Sequence, residues 1–286
     1  GGSSGVDSDF PDGQLDCSDF PDEYGAQAIS YLGLGGWTGV QCPGDSGPGG
    51  FNNIETVKNG GCQEGCYCSY ACPAGYQKMQ WPTLQGLTGQ SVGGVQCKNG
   101  KLHLTSDSSK SLCGPGTTAV KVQIQNNLPK NCAVCRTDYP GTESMTIPLN
   151  TQPGSTDPLT CPSEDSYYQW KGAHTSAQYY VNNMGVSVED GCTWSTPGSN
   201  QGNFAPVNLG VGYQDGTAWL AILANKPTNP DALLNFNIEL KGDNMNGKCK
   251  YSNGQYCSGD NYGNCNSDGC TVAVTGGTAT YVFSTS

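Results

Sequence analysis

The chain has 286 residues, enough for one large domain or two modest ones, with 35% hydrophobic residues and 42 glycines. Thirteen Lys plus Arg stand against 24 Asp plus Glu, a net charge of −11, and Arg136 is the only arginine, so no basic patch exists to read phosphates and nucleic-acid binding is not expected. No run approaches the ~20 apolar residues of a membrane-spanning helix, so no membrane partner is expected either.

Sixteen cysteines in a Gly- and Ser-rich chain read as a disulfide framework made in an oxidising compartment. All sixteen are expected to pair, as eight bridges of ~2–4 kcal/mol each, and the pairing itself is not readable. Only Cys132 and Cys135 form a C-x-x-C, and the histidines are two, His103 and His174. No structural metal and no cofactor are therefore expected. The sequence opens on Gly1-Gly2 without Met, which we read as a mature, processed chain.

In chain order, residues 1–23 form an acidic arm. Its Asp7-x-Asp9-x-x-Asp12-Gly13 has the wrong spacing, and no bidentate Glu, for a calcium loop. Pro21 and Asp22 open a predicted short helix with Ala26, Ile29 and Leu32 on one face and Gly33 at its end. Gly44-Asp45-Ser46-Gly47-Pro48-Gly49 resembles a serine-protease nucleophile loop, but no histidine precedes it and a polar turn is the better reading. Val120, Val122 and Ile124 alternate with Lys121, Gln123 and Gln125, as Phe236, Ile238 and Leu240 do with Asn237 and Glu239, the period of half-buried strands. Hairpin turns are predicted at Asn99-Gly100, Asp215-Gly216, Asn253-Gly254 and Gly276-Gly277. Short strands punctuated in this way predict a mainly β fold, a sandwich or barrel. The stretch Ser195 to Pro206 is the preferred linker, giving domains 1–200 and 201–286. A boundary near residue 115 also divides the cysteines evenly, eight and eight.

With two histidines and no metal cluster, hydrolytic chemistry would fall to carboxylates. Glycoside hydrolysis is the reaction that runs on a carboxylate pair. Acidic and aromatic residues mingle at Arg136–Glu143, at Glu164, Asp165, Tyr167, Tyr168 and Trp170, and at Tyr179, Tyr180, Glu189, Asp190 and Trp194. Aromatic faces stack on sugar rings and carboxylates bond hydroxyls, so these segments suit a glycan groove. Asp138, Glu143, Glu189 and Asp190 are the candidate catalytic acids. Trp37, Trp81, Arg136, Tyr139, Trp170, Tyr179 and Trp194 are the candidate substrate-binding residues.

Several blocks resemble the fungal SUN family of secreted cell-wall proteins. They are Phe10-Pro11-Asp12-Gly13, Cys17-Ser18-Asp19-Phe20-Pro21 and Leu32-Gly33-Leu34-Gly35-Gly36-Trp37-Thr38-Gly39 near the start. The cluster Cys62-x3-Cys66-Tyr67-Cys68-Ser69-Tyr70-Ala71-Cys72-Pro73-Ala74-Gly75-Tyr76 follows, with Gln80-Trp81-Pro82 after it. Later come Cys135 to Glu143, Thr175 to Asn183 and Glu189-Asp190-Gly191-Cys192. The resemblance implies a secreted or wall-bound protein of glycoside hydrolase family 132, at work in wall remodelling, septation and cell separation. It implies β-1,3-glucan or a related wall polysaccharide as partner. It also implies a disulfide-rich, thaumatin-like β-sandwich with a smaller crystallin-like β-module, expected to act as a monomer. Two readings stay open at this stage: a β-1,3-glucan hydrolase, and a non-catalytic glucan-binding wall protein.

Overall fold

The structure is a computed structural model. It describes residues 5–286 except Thr88, 140–144, Asp165, Tyr168, Lys171, Gly172 and Pro227, and except the side chains of Asp138, Tyr139, Trp170 and Ala173. The fold is mainly β, as the alternation predicts, and disulfide-rich. It comprises two compact units. The first is Gly1–Pro115 with Asp138–Ile147 and Tyr167–Thr175; the second is Gly116–Thr137, Pro148–Ser166 and Ser176–Ser286. The Ser195–Pro206 stretch lies inside the second unit. It is tied there by hydrogen bonds from Ser195 N to Asn203 Oδ1 (2.7 Å) and from Gly202 N to Asn182 Oδ1 (3.0 Å).

The first unit holds a five-stranded antiparallel sheet in the order Ile54–Thr56, Gly39–Pro43, Tyr67–Ser69, Val95–Lys98, Lys101–His103. Four bridges staple it: Cys17–Cys97, Cys42–Cys66, Cys62–Cys68 and Cys72–Cys113. Short strands cannot bury much apolar area, and the cystines fill the core beside Trp37, Val40, Tyr70, Val95 and Leu102. The helix predicted after Pro21 does not form. Two 3-10 turns, Asp22–Tyr24 and Ser30–Leu32, take its place. The break is at Gly25, held at φ +98°, where an added Cβ would stand 2.9 Å from the Val6 Cα. That backbone conformation ends a helix and favours glycine.

The second unit is a β-sandwich. One sheet has seven strands in the order Thr156–Leu159, Val120–Asn126, Gly277–Ser284, Asn237–Gly242, Cys249–Ser252, Gln255–Ser258, Asn264–Asn266. The other has six, ordered Ile147–Thr151, Cys132–Tyr139, Ser176–Val181, Val207–Gln214, Thr217–Ala224, Gly269–Val274. Alternate residues of both meet in one core: Val120, Val122 and Ile124 from the first sheet, and Val207, Leu209, Val211, Leu220 and Ile222 from the second. Three of the four predicted turns are hairpins whose paired residues take positive φ: Asn99-Gly100, Asp215-Gly216 and Asn253-Gly254. Gly276-Gly277 differs. The strands on its two sides pair in different sheets, so it carries the chain across the sandwich.

The expectation of eight disulfides is corrected to seven. The second unit has Cys135–Cys192, Cys249–Cys270 and Cys257–Cys265, while Cys132 and Cys161 remain thiols. Both sit in the sandwich core, one per sheet side, as small apolar residues. Burial pushes the Cys132 thiol far above its ordinary range, and pushes Cys161 up to about 12. Neither forms thiolate near neutral pH, so neither is reactive in the folded chain.

Candidate functional site

The predicted aromatic platforms divide sharply by exposure. Trp37 is 2% exposed and stands edge-on to Phe20 in the first core, with ring centroids 4.9 Å apart. Trp81 is 8% exposed. Its Nε1 donates to the Lys78 carbonyl at 3.0 Å and to the Tyr167 hydroxyl at 3.3 Å, and the Lys78 ammonium lies 4.1 Å from its ring centre. Tyr179 is a core residue of the sandwich. Its hydroxyl accepts from Thr160 N (2.9 Å) and donates to the Thr160 carbonyl (3.2 Å). These three side chains are used in packing. Trp194, by contrast, is 46% exposed. The Glu143 position and the side chains of Asp138, Tyr139 and Trp170 lie outside the described residues.

Glu189 and Asp190 are exposed on the α-helical turn Val188–Gly191. The turn exists because Ser187 caps it, its hydroxyl accepting from Asp190 N, and because Cys192 anchors it to Cys135. Glu189 borders an open groove of about 720 Å³ with Lys130, Asn131, Asn150, Gln152 and Ser187. No aromatic side chain lines that groove. It offers hydroxyl-binding groups but no stacking face.

A second carboxylate sits on the outer face of the six-stranded sheet. Along Val207–Gln214 the core takes Val207, Leu209 and Val211, so Asn208, Gly210 and Gly212 face outward. The neighbouring Ser176–Val181 strand sends Ala177, Tyr179 and Val181 inward and Ser176, Gln178 and Tyr180 outward. The two glycines leave the floor of this face bare. Glu164 lies across it: a Cβ on Gly212 would fall 2.2 Å from Glu164 Oε1 and 3.1 Å from the Ser176 Cβ. The backbone holds Glu164 there, its N–H donating to the Tyr213 carbonyl at 2.8 Å.

Arg136 belongs to the same neighbourhood. It is 1% exposed in the strand Cys132–Tyr139. The Cys161 thiol is raised first by burial and next by the charge of Glu164, while Arg136 acts in the opposite direction. The lone arginine and Glu164 thus both lie within electrostatic reach of one thiol. On the other side, Gly212 pairs directly across the ladder with Trp219, so Trp219 shares the outer face with Glu164. Trp219 is 49% exposed, the most exposed tryptophan among the described side chains.

Neither Glu164 nor Trp219 is among the candidate site residues read from sequence. Glu164 belongs to an acidic and aromatic segment noted there, but nothing in the chain marks it above its neighbours. Trp219 did leave a signal. It follows the Asp215-Gly216 turn and has the opposite parity to Ala218, Leu220 and Ile222, the pattern of an outward residue. Among the described residues, no group of three or more His, Cys, Asp or Glu could hold a metal ion. No helix is long and apolar enough to cross a membrane.

The chain is similar to proteins of fungi. It is 55% identical over 284 residues to the secreted beta-glucosidase sun1 of Aspergillus fumigatus, covering 98% of this chain and 66% of that protein. It is 50% identical over 278 residues to the probable secreted beta-glucosidase UTH1 of Saccharomyces cerevisiae, covering 96% and 71%. It is 45% identical over 279 residues to the secreted beta-glucosidase SUN41 of Candida albicans, covering 96% and 62%. The chain therefore spans about two thirds of the length of these relatives. No solved structure matches it. A family profile described as Beta-glucosidase (SUN family) matches residues 12–272, and the chain belongs to the SUN family.

Proposed function

We propose that the chain is a secreted fungal cell-wall protein that binds a β-glucan on the outer face of its six-stranded sheet and hydrolyses β-glucosidic bonds there. The relatives' names supply the bond class. The seven disulfides agree with an oxidising, extracellular setting. The resemblance described above supplies β-1,3-glucan as the polymer, and wall remodelling, septation and cell separation as the setting. A thaumatin-like form of the sandwich with a crystallin-like module belongs to the same proposal, as does a monomeric state.

The observation that carries the reading is the placement of Glu164 over the bare backbone of Gly212, next to an exposed indole. The carboxylate reaches down onto the strand because glycine leaves that space to it. Glycoside hydrolysis needs a second carboxylate about 5–9.5 Å from the first, one to protonate the leaving oxygen and one to attack or to activate water. Glu189 and Asp190 stand at the far end of the six-stranded sheet, beside Asn182 rather than Ser176, so Asp138 and Glu143 are the proposed sources of that partner. Asp138 is the nearer of the two in sequence to the buried Arg136.

Purified chain incubated with laminari-oligosaccharides should release glucose or shorter oligosaccharides, followed by chromatography of the products. Absence of any release across pH 3–8, with binding retained, would replace hydrolysis by the non-catalytic glucan-binding reading.

A further inference from the structure

The outer sheet face continues past Trp219, away from Glu164. The segment around Met245 docks beside the edge strand Gly269–Val274 through a bridge between Met245 and Val274. Met245 packs against the sandwich core, so Asn244 and Asn246 take the opposite, outward parity. With Thr217, Trp219, Ala273 and Thr275 they border an open depression of about 360 Å³. That lies within the range of small-ligand sites, about 300–1,000 Å³.

The two amides are oriented by the backbone. Asn244 Nδ2 donates to the Gly276 carbonyl at 3.1 Å. Asn246 Oδ1 accepts from Ala273 N at 2.8 Å, while its own N–H donates to the Ala273 carbonyl at 3.0 Å. Because a carbonyl and an N–H fix each amide, the remaining ends are defined. Asn244 presents an acceptor and Asn246 a donor, and neither end has a partner among the described residues. The cross-strand neighbours of Trp219 are Gly212 and Ala273, neither with a side chain larger than a methyl group.

We infer that this depression is a glycan-stacking subsite that holds a glucosyl unit of a β-glucan chain, outside the carboxylate site. The inference rests on the proposed glucan reading and adds a second place of contact to it. Its chemistry selects a neutral ligand. The protein carries a net charge of −11, yet among the described residues no charged side chain borders the depression, so phosphates, uronic acids and cationic polymers find no partner among them. A flat indole asks for a flat apolar surface, and the amides and threonine hydroxyls ask for hydroxyls around it. β-Glucopyranose offers both. All its ring substituents are equatorial, which leaves two C–H faces clear, whereas the axial O4 of galactose or O2 of mannose interrupts one face.

The test is a depletion binding assay of the intact chain on insoluble β-1,3-glucan, with mannan and galactan as comparison polymers. The parent should bind the glucan more tightly than either comparison polymer. Trp219→Ala should weaken glucan binding at least about tenfold, and Asn244→Ala, on an exposed residue, by a smaller factor. Circular dichroism and the unfolding midpoint establish that each variant is folded, and Asn244→Ala decides the matter if Trp219→Ala is not. A parent that binds glucan and folded variants that bind it equally well would overturn this subsite, and the proposed function would then stand or fall on product release by the parent and its loss in Glu164→Gln. A parent that binds no glucan would overturn both. Equal binding to mannan and galactan would overturn the equatorial-face argument, and with it the assignment.

Discussion

A Glu164→Gln chain is expected to release at least about 100-fold less product from laminari-oligosaccharides than the parent, while still binding insoluble glucan. The amide keeps the shape of the side chain across Gly212 and removes its ability to carry or transfer a proton. General acid–base catalysis of that kind contributes about 10²–10⁴-fold. Stacking and hydroxyl contacts are left in place, so binding persists. The same assay run on Asp138→Asn and Glu143→Gln identifies the second carboxylate as the position whose amide is comparably damaging, and Glu189→Gln and Asp190→Asn should leave product release unchanged. Activity that survives Glu164→Gln unchanged would remove this residue from the chemistry.

Gly94→Ala is expected to cost the first unit about 3–5 kcal/mol, the upper range for single substitutions. Gly94 has φ +101°, and an added Cβ would lie 1.9 Å from the Cys68 carbonyl oxygen and 2.4 Å from its carbon. Those are backbone atoms of the adjacent strand, and Cys68 is bridged to Cys62, so little can move aside. The first unit is larger than 100 residues, and for that size each kcal/mol moves the unfolding midpoint by about 3–4 °C. A fall of more than about 9 °C should therefore appear in thermal unfolding. Gly49→Ala is the control: its φ is +89°, but an added Cβ meets nothing within 4 Å. It carries only the conformational cost, about 1–2 kcal/mol. Equal shifts in the two variants would show that close packing at Gly94 is not what matters.

The parts of the fold legible in the sequence are those where a local signal and the tertiary outcome agree. Val120 to Gln125 alternate because one face enters the sandwich core, and the structure buries that face. Asn-Gly and Asp-Gly pairs adopt positive φ at low cost, so the hairpins at 99–100, 215–216 and 253–254 are local decisions. Gly276-Gly277 has the same local chemistry, but its flanking strands find partners in different sheets. The helix after Pro21 fails for a similar reason: the periodicity is real, but Gly25 packs onto Val6, a contact with no trace in the local pattern.

The disulfide expectation shows a further limit. An even count invites full pairing, yet Cys132 and Cys161 occupy sandwich positions where a small apolar side chain is what the core accommodates. The candidate site was partly legible for a related reason. Composition located the acidic and aromatic residues but did not say which aromatics are buried. Trp37, Trp81 and Tyr179 turn inward, and Trp219 turns outward. What sets Glu164 apart is Gly212 beneath it, a contact between residues 48 positions apart.

The most direct test of where the glucan sits is an NMR titration of the isotopically labelled chain with laminarihexaose. The account predicts that the Trp219 indole N–H resonance and the backbone amides of Gly210 and Gly212 shift progressively and saturate together. The buried indoles of Trp37 and Trp81 should stay in place. Saturable shifts confined to Asn131, Gly185 and Glu189, with the Trp219 and Gly212 signals unmoved, would place the glucan in the groove beside the Val188–Gly191 turn and contradict the sheet-face site.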